Sequence, residues 1–364
     1  MTPRTYSERL GRITDRQLQA ALDRHRLGRL VDAEPIPHGH FGQNLFLRST
    51  GGEYVLRGNP SFPGQFATER FHVELLAGAT RVPVPSPYRI DPDPGVFGWS
   101  YVIMPRMPGL QPSAPEVRDR LGSAEKHGIA RALGANLAAM HAVTSDRPGR
   151  FAAETGAAGP LEAPGESTWS AGPRRPWTGP YARWVAERVT HRLETARGHD
   201  GRATTPADLA WVRGLLADGA EAMAEPFRPC LVVEDYKEGN LVVTGEGADW
   251  TVSGVFDLVE CYFGDPEADL ARTACSYLDE DPSLARAFLG AYLTARPPRP
   301  GFRRRATTYL LQDRALLWEF FQRNRLRWWP ETWTFRDWAG RYLSLLEPVL
   351  NAAGNPETEV RPGG

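Results

Sequence analysis

Between Cys230 and Val243 the chain runs apolar, polar, apolar: Cys230-Leu231-Val232-Val233, then Glu234-Asp235-Tyr236-Lys237-Glu238-Gly239-Asn240, then Leu241-Val242-Val243. Each apolar run suits a buried strand and is too short for a helix, so the segment between them reads as a loop pinned at both ends by a core. A further run, Val252 to Phe256, ends in Asp257, seventeen positions after Asn240. Asp235 followed five positions later by Asn240 is the D-x-x-x-x-N arrangement of a phosphoryl-transfer loop. The chemistry explains the residue types. A travelling γ-phosphoryl group needs magnesium held by hard oxygens, which Asp257 and the amide oxygen of Asn240 offer, while Asp235 orients an acceptor hydroxyl and takes its proton.

The rest of the chain is that of an ordinary globular protein. With 364 residues, 41% apolar, it is long enough for one large domain or two lobes. A formal net charge of −1 excludes a general affinity for nucleic acid or membrane surfaces. The polar start and the lack of an eighteen-residue apolar run point to a cytoplasmic protein. Cys230, Cys261 and Cys275 are odd in number and lack CxxC spacing, which argues against disulfides and a zinc site. Alternating stretches at Leu45-Phe46-Leu47 and Tyr54-Val55-Leu56-Arg57, separated by Gly51-Gly52, predict a hairpin. A helix is expected over 66–77, stopped by Pro83 and Pro85, then a buried strand at Tyr101-Val102-Ile103-Met104. From about residue 125 helices dominate, with Ile129, Leu133, Leu137 and Met140 on one apolar face. Residues 151–180 contain ten glycines and prolines in thirty positions, too many breakers for regular structure, and read as a long loop with the makings of a lid.

These pieces stand in an order that resembles the aminoglycoside phosphotransferase family, a branch of the protein-kinase-like fold, from roughly Ile36 to Asp269. The matching segments are Gly39-His40-Phe41-Gly42-Gln43-Asn44 as a phosphate-covering loop, Tyr54-Val55-Leu56-Arg57 as the third strand, and Glu69 ahead of Val82-Pro83-Val84-Pro85. Tyr101 to Gly109 follows as the hinge, then Leu133 to His141, the catalytic loop, Gly254-Val255-Phe256-Asp257, and Gly264 to Leu270. The resemblance implies an α+β, bilobal kinase-like fold. Its N-lobe, residues 1–107, is small and β-rich with one helix; its C-lobe, 108–364, is mainly helical and holds the catalytic loop, the metal site and the acceptor region.

The resemblance also assigns roles. Gly39, Gly42, Asn44, Arg57 and Glu69 would belong to the nucleotide-binding side, with the glycine loop and Arg57 at the phosphates. Pro105, through its carbonyl, and Met107, through its N–H, would bind the base of ATP or GTP. Asn240 and Asp257 would hold Mg2+, and Asp235 would be the catalytic base. Glu74 competes with Glu69 for its role, and the distance to the Val82-Pro83-Val84-Pro85 segment favours Glu69. Asp265, followed by Pro266 and Glu267, reads as a helix cap, and Asp269 as the residue that holds the catalytic loop.

Three positions depart from the family pattern. Val233 and Glu234 stand where histidine and glycine are usual, and Arg57 stands where many kinases have lysine. Arginine is always charged and presents a fork of donors, so it suits phosphate as well. Lys237 is one of only two lysines, with Lys126, and lies two positions after Asp235, as in many serine/threonine kinases. That spacing marks it as a second catalytic residue; otherwise it pairs with Glu234 or Glu238.

The acceptor side is less defined. Trp318, Trp328, Trp329, Trp333 and Trp338 could line a ring pocket or simply pack helices. Residues 301–341 carry nine arginines against four acids, whereas a polycationic aminoglycoside needs an acidic pocket. The expected acceptor is therefore neutral or anionic: a nucleoside antibiotic, a macrolide-like or peptide compound, or a sugar. An antibiotic O-phosphotransferase is the leading reading. A metabolite kinase for a sugar or amino alcohol is the alternative, and a nucleotide-binding pseudokinase the third.

Overall fold

The computed structural model describes residues 4–36, 43–152, 157–165 and 175–353. A two-residue ribbon, β1 (Arg4–Thr5) and β2 (Arg12–Ile13), leads into α1 (Asp15–Arg24). Thr14 starts this helix with a reciprocal cap, its backbone N–H donating to Gln17 Oε1 (3.0 Å) while Gln17 N–H donates to Thr14 Oγ1 (3.3 Å). Beyond it, β3 (Leu30–Pro35), β4 (Asn44–Ser49), β5 (Gly52–Gly58), α2 (Gln65–Ala79), β6 (Arg89–Asp91) and β7 (Tyr101–Pro105) form one antiparallel sheet with a helix. The strand order is β3-β4-β5-β7-β6.

Alternation along each strand gives this sheet two apolar faces. Leu45, Leu47, Leu56, Tyr101 and Ile103 face Leu18, Ala21 and Leu22 of α1 in one buried cluster. Val102 and Met104 face the other way, into the core that includes Phe66, Val73 and Leu76 of α2 and continues through the helical part. The N-terminal unit therefore contains two helices rather than the expected one. The extra helix, α1, buries only Leu18, Ala21 and Leu22, so its apolar face is short and polar residues fill most of its length.

Past β7 the hinge lies against a second hairpin: the Pro108 carbonyl accepts from Ser253 Oγ (2.6 Å), and Leu110 bridges to Val243. In the helical part, α3 (Pro115–Arg118) and α4 (Ser123–Met140) precede the short pair β8 (Arg150–Ala152) and β9 (Ala157–Gly159), then α5 (Tyr181–His199) and α6 (Pro206–Met223). The strands β10 (Cys230–Val232), β11 (Leu241–Glu246), β12 (Asp249–Val255) and β13 (Tyr262–Gly264) carry the polar loops, and α7 (Leu270–Glu280), α8 (Pro282–Ala295), α9 (Phe302–Asn324) and α10 (Phe335–Ala353) follow. Ile129, Leu133, Leu137 and Met140 are all buried on α4. A Cβ at Gly134 would collide with the Phe288 carbonyl, so glycine lets α4 and α8 approach closely. The stretch 151–180 is not wholly irregular: β8 and β9 pair within it, because Phe151 and Ala158 supply strand partners between the glycines.

The aromatic and basic residues near the C-terminal end are structural. Trp318 stacks on Trp329 at 4.8 Å and lies 5.3 Å from Trp338, with all three buried. Trp328, by contrast, is largely exposed, at 60%. Most arginines of 301–341 are engaged in ion pairs, such as Arg305 with Glu267, Arg314 with Asp313, Arg323 with Glu319 and Arg341 with Asp279. The charge excess counted along the sequence is therefore not a free basic surface. Among the described residues, no helix is long and apolar enough to cross a membrane.

Candidate active site

The loop between β10 and β11 is fixed mainly through its backbone. Asp269 accepts from Val233 N–H (2.6 Å) and Glu234 N–H (2.7 Å), and its Oδ2 lies 3.0 Å from His141 Nε2. Thr273 Oγ1 donates to the Tyr236 carbonyl (2.6 Å), and the Tyr236 hydroxyl donates to the Leu133 carbonyl (3.0 Å). Glu234 has φ 68°, the left-handed region that favours glycine. Its carboxylate compensates by binding Arg188 (2.6 Å) and Arg150 (3.3 Å). Burial pushes the Glu234 pKa up, but Arg188 and Arg150 outweigh it and hold it below the usual carboxylate range.

On this loop Asp235 Oδ2 accepts from Lys237 Nζ (2.7 Å) and Asn240 Nδ2 (2.9 Å). Its Oδ1 faces Arg272 Nε at 3.6 Å, and Arg272 Nε is 2.8 Å from Asp313 Oδ1. Burial again opposes ionisation of Asp235, while Arg272 and then Lys237 more than offset it, so its pKa lies below the ordinary value. Glu234 and Glu238 are engaged elsewhere, Glu238 with Arg118 (2.7 Å) and Tyr277 (2.9 Å), so neither is the partner of Lys237.

Asn240 Nδ2 also donates to the Asp235 carbonyl (2.9 Å), which leaves the amide oxygen without a hydrogen bond among the described residues. Pairing of Leu241 with Val255, and a bond from Phe256 N–H to the Asn240 carbonyl (3.0 Å), bring Asp257 beside Asn240. The Asp257 side chain is 40% exposed. A half-exposed carboxylate and a free amide oxygen are a donor set that fits Mg2+.

Arg57 on β5 reaches this hairpin from the sheet. Its Nη1 donates to Glu69 Oε1 (2.7 Å) and Oε2 (3.0 Å), and its Nη2 lies 3.4 Å from Asp257 Oδ1. Tyr88 donates to Glu69 Oε2 (2.6 Å). Burial disfavours the Arg57 charge, but Glu69 and Asp257 overcome it and raise its pKa. Glu74 is exposed and pairs loosely with Arg70, so it does not share this position. Asn44 lies directly across from Arg57 in the β4–β5 register, with a buried Oδ1 that has no hydrogen-bond partner among the described residues. Gly39 and Gly42 lie outside the described residues.

Pro105 ends β7, and Met107 sits over Gly254, where a Cβ would come within 2.5 Å of the Met107 Cβ. Only glycine at 254 lets the hinge lie this close to β12. The structure thus gathers Asp235, Lys237, Asn240, Asp257, Arg57 and Glu69 into one contiguous chain of contacts. Sequence reasoning missed Arg272, Asp313, Tyr88, Arg150 and Arg188. Arg272 was findable, standing one helical turn after Asp269; Asp313 comes from a distant helix and left no local signal.

The model of the phosphotransferase enzyme family matches residues 32–306. The chain belongs to this family. It is a phosphotransferase with a kinase-like fold. Among solved structures it is similar to a thermostable mutant of the aminoglycoside phosphotransferase APH(4)-Ia in a complex with ADP and hygromycin B, at 16% identity, TM-score 0.57, covering 93% of this chain and 99% of that one. A candidate aminoglycoside phosphotransferase of Ralstonia eutropha JMP134 shares 19% identity, TM-score 0.56, over 93% and 98% of the two chains. A candidate fructosamine-3-kinase of Haemophilus somnus 129PT shares 13%, TM-score 0.57, over 92% and 96%. At these identities the likeness shows the fold alone. No curated protein matches the chain.

Proposed function

We propose that this family member moves the γ-phosphoryl group of ATP or GTP, with Mg2+, onto a hydroxyl of an antibiotic in the cytoplasm, and so confers resistance or self-protection. The supporting observation is the run of contacts from Glu69 through Arg57 and Asp257 to the loop bearing Asn240, Lys237 and Asp235. Residues 1–107 form the nucleotide-side lobe, ending in the hinge at Pro105 and Met107, and 108–364 the acceptor-side lobe.

Asp235 takes the proton of the acceptor hydroxyl, and its low pKa keeps it ionised for that task. Lys237 offsets charge at the transferring group, and Arg57, held by Glu69, meets the phosphates. Asn240 and Asp257 would hold the metal, which neutralises phosphate charge when bound. Gly39, Gly42 and Asn44 complete the phosphate side. The decisive variant is Asp235→Asn: turnover should fall by roughly 10²- to 10⁴-fold with nucleotide affinity nearly unchanged. Unaltered turnover would remove Asp235 from the mechanism. A metabolite hydroxyl as the preferred acceptor, in a screen of antibiotics against sugars and amino alcohols, would favour the alternative suggested by the fructosamine kinase-like fold neighbour.

A further inference from the structure

Among the described residues five that are not glycine have positive φ, and two of these, Glu234 and Asp257, belong to the loops of the site. A side chain is disfavoured in that region, so other contacts must hold it there. At Glu234 they come from three directions. Asp269 accepts from its N–H (2.7 Å), Arg188 of α5 grips one carboxylate oxygen (2.6 Å) and Arg150 of β8 the other (3.3 Å). Both guanidinium groups are themselves fixed. Arg188 lies over the Trp184 ring, 4.5 Å from its centre, and Arg150 donates to the carboxylate (3.1 Å) and the carbonyl (3.1 Å) of Glu260. Glu260 stands three residues after Asp257, so Arg150 also ties the segment before Asp235 to the one that follows Asp257. The side chains of Glu234, Arg150 and Arg188 are at most 12% exposed, which sets this cluster apart from a loose surface pairing.

Resting on the phosphotransferase reading, we propose that Glu234 is a positioning residue for the catalytic base: Arg150 and Arg188 clamp its carboxylate, keep residue 234 in the left-handed conformation and so aim Asp235 at the acceptor hydroxyl. A turn of the backbone at 234 toward negative φ would swing the Asp235 carboxylate away from Lys237, Asn240 and Arg272. Without the clamp any side chain at 234 favours that turn, whereas glycine does not. Among the described residues neither arginine hydrogen-bonds to Arg57, Glu69, Asn240 or Asp257, so the clamp acts on turnover rather than on nucleotide affinity.

The test compares residues at 234 that lack a carboxylate, in an Arg188→Met background that leaves no unpaired guanidinium buried there, since Arg150 keeps Glu260. Turnover is read as Mg2+-dependent hydrolysis of ATP or GTP by the full chain, with water as the acceptor, and melting curves fix a temperature at which each protein is folded. Glu234→Ala with Arg188→Met should lower kcat by about tenfold or more. Glu234→Gly with Arg188→Met should stay within about threefold of the parent, and so outpace Arg188→Met alone, in which a strained Glu234 keeps a single grip. Nucleotide Kd should agree within about threefold throughout. Alanine as fast as glycine, glycine as slow as alanine, or a loss of nucleotide affinity that matches the loss of kcat would overturn the inference. Single variants guard against doubles that do not fold: Arg188→Lys, which keeps a cation for Glu234, should restore most of the kcat that Arg188→Met loses, and equal rates for the two would refute the clamp. Failure of the parent to bind either Mg2+–ATP or Mg2+–GTP would instead remove the phosphotransferase reading beneath it.

Discussion

Replacing Lys237 by methionine separates a catalytic cation from a surface ion pair. The ammonium lies 2.7 Å from Asp235 Oδ2, and the lysine side chain is 39% exposed. An ion pair this open to solvent contributes about 0 to 1 kcal/mol to stability. For a chain of 364 residues that corresponds to a melting shift of about 1–2 °C at most. If the ammonium stabilises charge redistributed at the transferring phosphoryl group, its loss costs about 3 to 4 kcal/mol in the transition state, or roughly 10²- to 10³-fold in kcat. Nucleotide affinity should change far less, because the interaction strengthens only as the reaction proceeds. Three measurements on Lys237→Met decide the matter: kcat, the nucleotide Kd and the melting temperature. A near-normal kcat would refute the argument and leave Arg57 and the metal as the cationic partners of the phosphates.

Two further substitutions test other parts of the molecule. Asp257→Ala should abolish Mg2+-dependent nucleotide binding, and calorimetry showing wild-type affinity would sink the metal assignment. His72 is fully buried, and burial above all lowers its pKa to about 3, so the folded protein keeps it neutral. Because the unfolded chain protonates histidine near pH 6.5, stability from this site is intact above that pH and declines as the pH falls toward 3. Between pH 7 and 5 the loss is about 2 kcal/mol, and His72→Leu should remove it; parallel stability curves for the two proteins would contradict this.

What the sequence revealed depended on whether the chemistry was local. Asp235, Lys237 and Asn240 stand within six positions, and the short strands around them announce the loop that holds them together. The places of Arg57 and Glu69 were legible through the order of strand and helix, whereas their ion pair came only from the structure. Arg272 and Asp313 were not, since their meeting depends on how α7 packs against α9. The tryptophans near the C-terminal end left two readings open, and the arginine count overstated free charge, for the same reason: composition counts residues, but only packing shows that Trp318, Trp329 and Trp338 fill a core and that Arg305 is bound to Glu267. In α1 the local signal was present, with Leu18, Ala21 and Leu22 at helical spacing behind the Thr14–Gln17 cap, but it lies ahead of the segments that carry the family resemblance.

The grip of Asp269 on Val233 and Glu234 passes through peptide N–H groups, which every residue but proline supplies. These two bonds therefore do not depend on which side chain stands two positions before Asp235. Valine in place of the usual histidine leaves them intact while its side chain joins the buried core, so the loop's anchor tolerates a change at 233 that it would not tolerate at Asp269.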